Sequence, residues 1–194
     1  APALSADKIW VLPAADGSAD QVLKTDGSGN LGFATTSGGG KIGQVLSATK
    51  TDVFTTTSTS YTDITGITIN ITPAATSSKI LVTFSVTAST DTADRVFGFQ
   101  LVRDSTAIGI GGASSSRSVG TVAGTVETKN TKMNSYSMNF LDSPSSTSAL
   151  TYKLQTKAQT GGSNTVRINS NGGDQDGGYN FRTISTITVM EVLA

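Results

Sequence analysis

The chain has 194 residues, enough for one core and a small extra piece. Ser and Thr supply 56 residues and Gly another 21, while Glu occurs only twice against twelve Asp, a bias toward strand and turn and away from helix. Basic and acidic residues balance at 14 each with no basic block, and neither Cys nor His occurs, which excludes a basic nucleic-acid patch, disulfides, zinc sites and the usual nucleophilic triads.

The first ten residues, "APALSADKIW", lack the basic and apolar regions of a secretory signal. No apolar run approaches the roughly 18–20 residues of a membrane span. From residue 1 to 40 the chain is turn-rich, with short candidate strands at Lys8–Leu12, Gln21–Lys24 and Leu31–Ala34. Asp16-Gly17 and Asp26-Gly27 are expected to make tight turns, because Gly accepts positive φ. "DGSGN" at Asp26–Asn30 starts like a calcium loop, but Leu31 stands where Gly is needed and no Glu closes it, so a plain hairpin turn is expected. Trp10, the single Trp, reads as a packing anchor, and "SGGG" at Ser37–Gly40 as a hinge.

From residue 41 to 194 the pattern is that of a β domain. Lys79–Ala88 alternates cleanly, with Ile80, Val82, Phe84 and Val86 on one face. Similar stripes follow at Ile67, Ile69 and Ile71; Phe97, Phe99 and Leu101; Tyr136, Met138 and Phe140; Leu150, Tyr152 and Leu154; and Val166 with Ile168. The last stripe changes phase between Val189 and Met190, which predicts a β-bulge there. About eight strands with Gly, Ser, Asn and Pro between them predict a two-sheet jelly-roll sandwich. "GIGGASSSR" at Gly109–Arg117 lacks a phosphate-loop ending and reads as a mobile loop. "NGGDQDGGYNFR" at Asn171–Arg182 is either a long connection or a ligand-contacting loop, with Asp174 and Asp176 as acceptors, Tyr179 as a stacking face and Arg182 as a donor fork.

Several phrases carry a resemblance: "LPAADGSADQVLKTDGSGNLGFAT", "TSYTDITGITINITPAATSSKILVTFSVTAS", "FGFQLVRDSTAIGIG", "LDSPSSTSALTYKLQTK" and "ISTITVMEVLA". Together they cover nearly the whole chain, which resembles virion fibre proteins of tailed bacteriophages, especially marine and cyanobacterial ones. The resemblance implies an all-β homotrimer. A short N-terminal connector would precede a jelly-roll knob of the tumour-necrosis-factor or C1q kind. It also implies a location in the virion after assembly in the host cytoplasm, and no cofactor. The implied partners are capsid, neck or tail proteins and a host surface glycan or protein. A forty-residue segment this poor in apolar side chains is too small for a core of its own. Three copies are expected to bring Ile9, Trp10, Leu12, Val22, Leu23, Leu31 and Phe33 together around an axis. The alternative is a capsid cement protein. A polysaccharide depolymerase is less expected, given the absence of His, the small size and the single Trp.

Overall fold

The computed structural model describes residues 9–35, 41–126, 132–159 and 164–193. Ser37–Gly40 and Lys8 lie outside these residues. The chain divides into two compact units, residues 1–40 and 41–194.

The first unit is a hairpin of β1 (Gln21–Thr25) and β2 (Leu31–Thr35), antiparallel, with Leu23 opposite Phe33 and Val22 opposite Ala34. Its loop is the Asp26–Asn30 stretch. The Asp26 carboxylate accepts from the amides of Ser28 (2.7 Å) and Asn30 (3.1 Å) and from the Asn30 side chain (2.7 Å), closing an Asx-type turn. Gly27 and Gly29 take positive φ there. Val11 bridges Asn30 in parallel, its amide donating to Gly29 O at 3.2 Å, so among the described residues of the expected first strand Val11 alone pairs. The turn expected at Asp16-Gly17 falls instead at Ser18–Gln21, with Asp20 at φ 66°. Gly17 serves a different purpose: a Cβ there would sit 2.6 Å from the Phe33 ring.

Among the described residues, the second unit holds eleven strands in two antiparallel sheets. The first sheet contains β3 (Ile42–Lys50), β4 (Phe54–Thr56), β6 (Lys79–Thr90), β10 (Asn134–Asp142), β12 (Val166–Ile168) and β13 (Ser185–Val192). On one side of β6, β13 pairs with residues 79–85 and β12 with 88–90, so the two share a lane, and β10 takes the other side. β3 pairs with β13 and β4 with β12, which gives four lanes in the order β3/β4, β13/β12, β6, β10. The second sheet contains β5 (Thr62–Ile71), β7 (Arg95–Arg103), β8 (Thr106–Ile108), β9 (Val122–Val126) and β11 (Leu150–Ala158). Its lanes run β5, β11, β7, β8/β9. The expected eight strands are therefore eight lanes, three of them broken into two pieces.

Strand periodicity sends alternate side chains between the sheets. Ile80, Val82, Phe84, Val86, Ile187 and Val189 from the first sheet meet Ile67, Ile69, Phe97, Phe99, Leu101, Tyr152 and Leu154 from the second in one core. Tyr136 lies edge-on to Phe97 at 5.3 Å, and β9 accommodates its ring because Gly124 has no Cβ to collide with it. Two polar groups close one end of this core, since Asp142 and Glu191 both pair with Ile80 of β6. Asp142 accepts from Arg103 (2.7 Å) and from the Tyr152 hydroxyl (2.6 Å), joining the sheets. Burial, and then the Asp142 carboxylate, push the Tyr152 phenol far above its ordinary pKa.

The second polar group corrects the reading of the last strand. β13 keeps its alternation to the end, Ser185, Ile187, Val189 and Glu191 all facing inward. The apparent change of phase arises because Glu191, 1% exposed, occupies an inward position where an apolar residue is expected. Its carboxylate accepts from the Ala74 amide (2.6 Å) and the Gln44 side chain (2.8 Å). A bulge does occur, but in β3: Met190 and Val192 pair with Val45 and Ile42, two steps against three. Gly43 lies in that bulge, where a Cβ would stand 3.0 Å from the carboxylate.

The outward face of the first sheet follows from the same register. One row reads Thr49, Thr186, Ser85, Ser137, and the next Ser47, Thr188, Thr83, Asn139. The third is Val45, Met190, Leu81, Leu141, apolar across all four lanes. None of these twelve side chains is charged.

Candidate functional site

The sandwich has two distinct ends. β3 begins and β13 ends at one of them, because Ile42 pairs with Val192. At the opposite end Ser185 pairs with Lys50, and the Asn171–Arg182 stretch leads into β13 there. Asn169 anchors its base. The Asn169 side chain donates to Lys50 O (2.9 Å) and Asp52 O (3.1 Å) and accepts from the Ser185 hydroxyl (2.6 Å). Asn169 takes φ 65°, a region Asn tolerates better than most residues, and Ser170 bridges Arg182.

Of the four loop residues expected to contact a ligand, two find each other. Arg182 Nε and Nη2 donate to the two Asp174 oxygens at 2.9 and 2.6 Å, a fork-on-carboxylate pair. The hydrogen bond from Arg182 holds the Asp174 carboxyl below its usual range, and Asp174 raises Arg182 in turn. This pair spans the loop and offsets two of the charges proposed for binding. Asp176 is exposed and lines, with Asp174, Gln175, Asn180, Phe181 and Arg182, an open cleft of about 340 Å³. Tyr179 is 88% exposed and lies outside that lining.

Two neighbours escaped the sequence reading. Phe181 is 66% and Ile184 58% exposed, so the loop carries three large apolar side chains in open solvent. The signal for Ile184 was present: Ser185, Ile187 and Val189 face inward, so parity sends residue 184 outward. No comparable signal marked Phe181.

The seven N-terminal residues are not gathered into a core within one chain. Ile9, Trp10, Leu12, Val22, Leu23 and Phe33 are exposed and Leu31 is half-buried. Trp10 remains 49% exposed and anchors no interior of its own chain. Hairpin parity places Leu23, Leu31 and Phe33 on one face and Val22 on the other, so the set spans both sides of the hairpin.

Among the described residues no cluster of three or more carboxylates offers a metal site. No protein-family model matches the chain, and no curated protein matches it. Among solved structures, it is similar to that of infectious bursal disease virus, Gt strain, at 15% identity and TM-score 0.41, over 84% of this chain and 40% of that one. It is also similar to the VP2 subviral particle of the same virus, at 16% identity and TM-score 0.34, over 84% and 40%. The chain thus spans about 40% of the length of these proteins.

Proposed function

We propose that the chain is a non-enzymatic virion structural protein, a homotrimeric fibre or appendage whose β domain forms a distal knob. The observation that carries the reading is the outer face of the first sheet. Twelve side chains in three rows lack any charge, and the last row is apolar across four strands. Val45 and Leu141 in that row are 55% and 47% exposed. Solvated surfaces are usually rich in charge, and an uncharged face with an apolar band suits a copy of itself. Rotational symmetry sets like residues near one another, where like charges would repel. The exposed apolar side chains of the N-terminal hairpin support the same reading, since a unit of this size buries little by itself.

The lane order β3/β4, β13/β12, β6, β10 facing β5, β11, β7, β8/β9 supports a jelly roll, whose two sheets interleave successive strands in this way. The absence of His removes the commonest general acid–base from the chain. In this reading the N-terminal unit docks on capsid, neck or tail proteins. The loop carrying Asp176, Tyr179 and Phe181, at the far end from where β3 begins, meets a host glycan or surface protein.

The test is antibody labelling of intact particles by electron microscopy. A few labelled positions on thin appendages are expected. Dense label over capsid facets would make the protein a cement protein, and an unlabelled particle would remove it from the virion.

A further inference from the structure

A second cleft lies on the outer face of the second sheet. The Gly109–Thr121 segment, between β8 and β9, crosses that face over Gly98 and leaves a space of about 380 Å³. Tyr61 holds the segment in place, its hydroxyl donating to Val119 O at 2.7 Å. Two glycines there are explained by this contact: a Cβ at Gly98 or Gly120 would stand 2.9 or 2.5 Å from the Tyr61 hydroxyl. Gly111 and Gly112 are not explained in this way. Neither takes positive φ, a Cβ at Gly111 would meet only a carbonyl at 3.9 Å, and one at Gly112 would meet nothing. The fold has room for a Cβ at both positions, and both line the cleft.

Two cations face this space, Arg117 and Lys157. Lys157 Nζ is held 5.1 Å above the Tyr61 ring and 3.1 Å from the Ser118 hydroxyl. Arg117 reaches only the Ser114 hydroxyl, at 3.4 Å. Among the described residues neither cation forms an ion pair, and no carboxylate lines the cleft. One wall is apolar, with Val96 46% exposed. A bare inorganic anion would leave most of this volume and the apolar wall unused. A pyranose ring with a carboxylate uses both, and a guanidinium fork matches a carboxylate in shape.

We infer that this cleft binds an acidic sugar of the uronic- or sialic-acid class, its carboxylate held by Arg117 and Lys157 and the C–H face of its ring against Val96. The inference rests on the reading of the knob as a host-contacting surface and names the chemistry that one face of it recognises. The test is titration of the full chain with trigalacturonate and with sialyllactose at low salt, followed by NMR. The methyl ester of each acid serves as the neutral control. Saturable binding of at least one acid is expected, weakened by more than about tenfold in its ester, which loses the charge-assisted contacts to both cations. Arg117→Ala and Lys157→Gln should each weaken it about tenfold. Gly112→Val, where open space lets the protein fold normally, should block it. The inference is overturned if neither acid saturates, if the esters bind equally, or if Arg117→Ala and Gly112→Val, with unchanged melting temperatures, bind like the parent. Such a failure would leave the mass in solution and the position in the particle unaffected, so the virion reading stands or falls separately.

Discussion

Single side chains decide how the second unit closes. Phe84 is 3% exposed at the centre of the core, and Phe84→Ala should lower stability by about 3–5 kcal/mol, read by chemical denaturation. A change below about 1 kcal/mol would mean that the core lies on the other face of β6. Glu191 is the residue that sequence periodicity misread, because a buried carboxylate looks like a break in an apolar stripe. Burial pushes its pKa up, but hydrogen bonds from Gln44 and the Ala74 amide outweigh that and hold it below the ordinary 4.5. A carboxyl depressed in the folded state contributes stability that is present above the unfolded pKa and lost as pH falls through the folded one. Glu191→Gln turns an acceptor into a partial donor facing two donors, and should cost about 1–3 kcal/mol at pH 7. The gap from the parent should narrow as pH drops below 4.5. A gap independent of pH would place the effect in packing instead. The loop residues were legible only as types: Asp174 and Arg182 are eight positions apart, and nothing in the sequence signals that they pair with each other rather than with a ligand.

At the scale of elements, strands with a clean apolar stripe were legible and others were not: β3, nine residues long but mostly exposed, shows no such stripe and was missed. β6, β7 and β11 each carry a clean apolar alternation, and their inward residues are those the sequence marks. β4, β8 and β12 have three residues each, too few to display a period, although Val166 and Ile168 still marked β12. The Asp16-Gly17 turn failed because Gly serves close approach as well as positive φ, and the Phe33 ring needed the former. The outer rows of the first sheet became visible only once register was known, since Val45, Leu81, Leu141 and Met190 come from four separate stretches. Leu81→Asp puts a charge in the middle of that apolar row without touching the inward face. It should abolish self-association while leaving the fold intact, as read by light scattering beside circular dichroism. An unchanged particle size would show that this face is not the contact.

At the scale of the whole molecule, the proposed function assigns docking to the first unit and the knob to the second. Residues 41–194 form a compact unit with its own core, so deleting residues 1–40 should leave a folded β domain with its circular dichroism preserved. The truncated protein should fail to enter particles, and incorporation at normal levels would remove the docking role from the N-terminal unit. In the proposed trimer, the exposed Trp10, Leu23 and Phe33 of that unit and the uncharged face of the first sheet both meet copies of themselves. The mass of the full chain by sedimentation equilibrium at micromolar concentration tests this most directly. Three times the chain mass, with no dissociation on dilution across that range, is the predicted result, and a stable single-chain mass would contradict it.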